Sequence, residues 1–170
     1  MIPSGKKDIL EPLALNILKE YSAKYLHYKR VPKDSFPDLY DAKNNNAVEI
    51  TSDLSDKDWH RLIKRDTSIH FGNDDRQDTK GAIFRKMYKK YEGINEIELF
   101  VFSWYIDHAI FAQTLFNDIF EQYPKAKTKF LRIFIFSSCL KKLWILDFAK
   151  KSISTFCSRN ENNCRRFEVE

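Results

Sequence analysis

Two acidic residues carry the most suggestive chemistry in this chain. Asp38 follows Pro37, and Glu49 sits between Val48 and Ile50, with Thr51 next. Asn44, Asn45 and Asn46 lie between the two acids. Asn tolerates positive φ, so the segment reads as a β-hairpin with strands near 37–42 and 47–52. A strand sends alternate side chains to opposite faces. Val48 and Ile50 therefore share one face, and Glu49 and Thr51 share the other. Leu39 must join Val48 and Ile50 if the core is to be apolar, which sends Asp38 and Tyr40 to the face of Glu49. A two-residue turn at Asn44-Asn45 sets Tyr40 opposite Glu49 and Asp38 opposite Thr51. A three-residue turn would bring Asp41 opposite Glu49 instead. The even turn is preferred because it keeps Leu39 buried. Two carboxylates on one face repel each other unless a cation lies between them. Hard oxygen ligands suit Mg²⁺ or Mn²⁺, and a cation held there could activate water against a phosphodiester. The plain alternative is a half-exposed strand that happens to carry Glu, preceded by an ordinary Pro-Asp turn.

The elements around the hairpin follow from hydrophobic periodicity. Leu10, Leu13, Ala14, Ile17, Leu18 and Tyr21 recur at helical spacing and predict a helix over 8–24. Pro12 is tolerated in a first turn, so that helix should begin near Glu11. Residues 25–31 predict a strand ending at Pro32. Residues 53–79 are polar, with a short helix near 56–65 and then a long loop. Ile83, Phe84, Met87, Tyr88 and Tyr91 form the stripe of a helix from Thr79 or Lys80 to Tyr91, with Gly93 as its stop. The continuous apolar run 98–105 predicts a buried strand. A helix over 107–122, with Asp107 as its cap, leads to strands at 130–136 and 143–148. The order makes a mixed α/β sandwich, with antiparallel pairing from the hairpins and parallel pairing from the crossover.

The order and the motif together resemble the PD-(D/E)XK nuclease superfamily, the restriction-endonuclease-like fold. The resemblance spans about residues 8–105 and rests on Pro37-Asp38 and on Glu49-Ile50-Thr51 after a hairpin. It implies an α-β-β-β-α-β core with a mixed sheet flanked by helices, here with a C-terminal α-β-β extension. It also implies metal ligation by Asp38, Glu49 and the Ile50 carbonyl. Thr51 stands where that family places a catalytic lysine, and a hydroxyl cannot stabilise a negative nucleophile as an ammonium does. Lys80 is the chosen substitute, because it lies three and four residues before Ile83 and Phe84 and begins the stripe facing the sheet. Lys43 falls on the Leu39 face. Glu11 could add an acid from the first helix, as some relatives do. Arg85, Lys86, Lys89 and Lys90 form the polar side of the second helix and could meet phosphates, although such runs are often simply solvated.

Length and composition frame this reading. The chain has 170 residues, a net charge of +5 and 43% hydrophobic residues, consistent with one globular domain over 1–157 and a polar tail over 158–170. The basic balance favours an anionic partner, nucleic acid first, and the resemblance makes that nucleic acid DNA. Cys139, Cys157 and Cys164 are odd in number and show no Cys-x-x-Cys spacing, which argues against a disulfide framework or a zinc site. His27, His60, His70 and His108 show no metal-binding spacing. The start, MIPSGKKDIL, lacks an apolar leader, and the run 130–148 is interrupted by charges, so a cytoplasmic protein without a membrane span is expected. The leading reading is a Mg²⁺-dependent nuclease acting on DNA, with Asp38, Glu49, Thr51 and Lys80 as its catalytic set. Sequence-specific cutting would need a homodimer or a partner chain. The rival readings are an inactive relative that binds nucleic acid or protein, and an unrelated α/β interaction protein.

Overall fold

The computed structural model describes residues 6–32, 36–53, 75–103, 109–137 and 142–157. They form one seven-stranded mixed sheet, with the strands in sequence order across it, and three α-helices. Helix α1 is Lys6–Tyr21, β1 is Lys29–Arg30, β2 is Leu39–Asp41 and β3 is Asn46–Ser52. Helix α2 is Asp75–Met87, β4 is Glu96–Ser103 and α3 is Ala109–Gln122. Strands β5, β6 and β7 are Arg132–Ser137, Lys142–Asp147 and Ser152–Cys157.

The sheet begins as an antiparallel meander, β1-β2-β3. Strands β3, β4 and β5 then run parallel, since each is joined to the next by a crossover that contains a helix. Strands β6 and β7 close it antiparallel. Alternation along the strands sorts the core onto two faces. Leu39, Val48, Ile50, Phe100 and Phe134 meet Leu10, Ala14, Ile17 and Leu18 of α1 on one face. Leu99, Val101 and Ile133 meet Ile83 and Met87 of α2 and Leu115 and Ile119 of α3 on the other. Strand β4 is central, and its six residues from Glu98 to Ser103 are all buried, as expected of a parallel strand covered on both sides.

Several expectations need correction. Helix α1 starts at Lys6 and carries Pro12 inside it. Its first turns are held from outside, by Lys7 on Asp38 and by Arg30 on Asp8 and Glu11. Residues 25–31 are not one strand. Ala23–His27 form a 3₁₀ turn capped by the Ser22 side chain, and only Lys29–Arg30 pair. Tyr25 in that turn and Tyr28, the residue that caps its end, are both buried. Helix α2 ends at Met87, before Tyr91. Its last carbonyl accepts the N–H groups of Lys127 and Thr128, so a tertiary cap sets the end. Gly93 adopts φ 74° further on. Strand β7 was not anticipated, because its sequence, SISTFC, lies on the half-exposed edge of the sheet and lacks an apolar run. The expected helix near 56–65, the Asp107 cap and the tail over 158–170 lie outside the described residues.

Candidate active site

The β2–β3 hairpin has an even turn, but one two residues longer than expected. Leu39 pairs with Val48, Tyr40 with Ala47 and Asp41 with Asn46. The four turn residues are held by Asp41, whose carboxylate accepts from the Lys43 N–H and the Asn44 amide, and by Asn45 at φ 54°. Continuing this register by one step puts Asp38 level with Glu49 rather than with Thr51. The turn is even, as expected, and Leu39 is buried; the two acids meet different helices, Asp38 the Lys7 of α1 and Glu49 the Lys86 of α2.

Asp38 is buried at the end of β2, where the backbone ladder stops. Its Oδ2 accepts the Ile50 N–H at 2.8 Å, taking over the role that a further β2 residue would have played. Its Oδ1 accepts from Lys7 Nζ at 3.0 Å. Glu49 is also buried, and its Oε1 accepts from Lys86 Nζ at 2.6 Å, with Lys89 Nζ at 4.0 Å. Buried carboxylates need such partners to remain ionised. Burial works against the Lys7 charge, but the Asp38 hydrogen bond and the charges of Asp38, Glu11 and Glu49 outweigh it and raise its pKa. Tyr91 lies beside the pair. Burial pushes its hydroxyl pKa well above the usual tyrosine range, and the Glu49 and Asp38 charges push it further. That hydroxyl has no well-aligned hydrogen-bond partner among the described residues.

A cleft of about 150 Å³ opens between α1 and β3, lined by Lys7, Leu10, Glu11, Asp38, Ile50 and Thr51. Glu11 reaches it from α1, and Arg30 holds its carboxylate with two nitrogens at 3.0 Å. Burial first, and then the Asp38 charge, raises the Glu11 pKa in spite of that arginine. The cleft thus gathers Glu11, Asp38 and Thr51 from the expected set, with Glu49 on the neighbouring position of β3. Among the described residues no three His, Cys, Asp or Glu side chains group as a metal cage. The available donors are a carboxylate pair and the β3 backbone, all hard oxygens. That set suits a cation which keeps several of its own waters.

Lys80 is placed elsewhere. Its Nζ lies 2.9 Å from Asp118 of α3. The direction of the crossover explains this. Helix α2 runs antiparallel to β3, so its start lies at the far end of that strand, where Thr79 donates to Asp53. Lys86 is six residues further along, about 9 Å at 1.5 Å per residue, and arrives level with Glu49. Of the four basic residues expected to meet phosphates, Lys86 and Lys89 face the acid, Lys90 pairs with Glu92, and Arg85 is exposed. Lys7 and Tyr91 were missed as site residues. The spacing of Lys7 four residues before Glu11 was the available signal for the first. Nothing local marks Tyr91.

No family model, no curated protein and no solved structure matches this chain. Among the described residues no helix is long and apolar enough to cross a membrane.

Proposed function

We propose that this protein is a metal-dependent nuclease of restriction-endonuclease-like fold that cleaves phosphodiester bonds in DNA. The observation that carries the reading is that two buried carboxylates flank the hairpin strand β3, Asp38 holding the Ile50 N–H and Glu49 holding the Lys86 ammonium at 2.6 Å. The meander β1-β2-β3 followed by a helical crossover to a parallel β4 supports the same reading. Asp38, Glu49 and the Ile50 carbonyl would hold Mg²⁺ or Mn²⁺. The bound ion supplies charge neutralisation of the phosphate and a more acidic water.

The chain's own residues do the rest. Asp38 stays fixed because Ile50 N–H anchors one oxygen, leaving the other to exchange Lys7 for a cation. Lys86 supplies from α2 the ammonium that Thr51 cannot, on the same carboxylate. Lys7 and Lys89 bracket the pair and can neutralise phosphates entering the cleft. Glu11 stands across the cleft as a further acid.

An inactive binding module is the second reading. It is favoured by Thr51 and by the lysine already seated on each carboxylate. Isothermal titration of the purified chain with Mn²⁺ separates the two. Saturable binding that Asp38→Asn and Glu49→Gln each remove supports the nuclease reading, and no heat of binding supports the inactive one.

A further inference from the structure

We infer that Phe36 and Tyr91 form a stacking platform for an unpaired base, so the site takes single-stranded DNA. Phe36 is 40% exposed, although it is an aromatic residue two positions before Asp38. Its ring lies on that of Tyr91, with centroids 4.8 Å apart and planes 31° from parallel. Tyr91 in turn packs against buried Phe130 at 6.2 Å. The platform therefore has a fixed back and an open front. It is joined to the acid pair by Lys89, whose Nζ is 4.0 Å from Glu49 Oε1 and 5.2 Å from the Tyr91 ring centroid.

An ammonium placed between a carboxylate site and an aromatic face matches one nucleotide. The base stacks on the ring, and its phosphate reaches the lysine and the acids beyond it. Stacking of this kind accepts any base, because each presents a π-face, but a paired base within a duplex has no free face to offer. The neighbouring cations, Lys86 and Lys89, add a sequence-independent attraction for either form of DNA. The inference rests on the nuclease reading only for the chemistry at Asp38 and Glu49. The platform itself is a binding surface.

The test is fluorescence anisotropy with a labelled oligothymidylate and a labelled duplex of the same length, in chelator to prevent turnover. The single strand should bind more tightly. Phe36→Ala should weaken single-strand binding about tenfold or more and leave duplex binding unchanged. Phe36→Trp should keep it, which separates loss of stacking from loss of fold. Lys89→Ala should weaken both forms alike. Equal affinity for the two forms, or Phe36→Ala binding the single strand as wild type does, overturns the inference. So does a loss that Phe36→Trp fails to restore. If this pattern holds while Mg²⁺ gives no cleavage, the nuclease reading fails and the platform stands. If DNA is cleaved but the pattern is missing, the platform fails and the nuclease reading stands.

Discussion

Lys86 Nζ lies 2.6 Å from Glu49 Oε1, with the lysine 24% and the glutamate 6% exposed. The ammonium reaches the carboxylate from a helix, whereas the strand position two residues after Glu49 holds an uncharged Thr51. An ion pair this sheltered is screened far less than a surface pair.

The first prediction concerns that ammonium. Lys86→Ala should lower cleavage about 10²-fold, the scale of loss for a positioned proton-handling or charge-stabilising group. Lys80→Ala should leave the rate unchanged, because Lys80 belongs to Asp118. Thr51→Lys in the Lys86→Ala background should restore part of the rate, and the same change in the wild type should not raise it. Plasmid-nicking rates of the four variants check this.

The second concerns the metal. Mg²⁺ or Mn²⁺ at a hundredfold excess over its Kd should add about 2.7 kcal/mol to stability, read as a rise in thermal midpoint of several degrees. Asp38→Asn and Glu49→Gln should each remove that rise. Lys86→Ala should enlarge it, since the ammonium and the cation compete for Glu49. Differential scanning fluorimetry against metal concentration makes the measurement.

The third concerns a buried network on β4, level with Val48 but on the opposite face of the sheet from Glu49. Glu98 is 1% exposed and accepts from the Tyr25 hydroxyl, Lys24 and Arg132. Glu98→Leu leaves the buried Tyr25 hydroxyl without its acceptor and takes one of the acidic partners from Lys24 and Arg132, and should cost about 3–5 kcal/mol, as removal of one partner from a buried charge pair does. Urea denaturation should show the loss, with the midpoint rise on adding Mg²⁺ unchanged because Glu98, level with Val48, faces the side of the sheet opposite Glu49.

The sequence made much of the framework legible and left the decisive contacts hidden. Val48, Ile50 and Leu39 were enough to fix which face of the hairpin is apolar, because the period of a strand is two. The run around Phe100 was readable as a central strand because both its faces are covered. The level of Asp38 against Glu49 was not readable, since the side-chain hydrogen bonds of Asp41 set the turn length. That Lys86, and not the chosen Lys80, reaches Glu49 was also beyond the sequence. Both sit three residues from Ile83, one read onto the sheet-facing stripe and the other onto the polar side, and only the antiparallel run of α2 against β3 shows which reaches Glu49. Strand β7 and the 3₁₀ turn at Tyr25 are tertiary products. The former borrows its partner from β6, and the latter buries two tyrosines against α1 and β5.

The fourth prediction is a pH dependence away from the site. Burial works against the charge of Asp147, but the Lys150 N–H and Arg132 outweigh it and hold its pKa below the ordinary value of 3.8. A carboxylate with a depressed folded pKa adds stability that is present above its unfolded value and lost as pH falls through the folded one. Asp147→Asn should therefore destabilise the protein at neutral pH and flatten the stability loss below about pH 4. Urea midpoints taken down the acid limb for both proteins check the slope.

The central claim is tested most directly by incubating purified wild-type chain and Glu49→Gln with Mg²⁺ on circular single-stranded DNA and on supercoiled plasmid. Wild type should cut both, the single-stranded circle faster than the plasmid, chelator should stop it, and Glu49→Gln should leave both substrates intact. Wild-type DNA left uncut in both Mg²⁺ and Mn²⁺, or a Glu49→Gln protein that cuts at the wild-type rate, would contradict the claim.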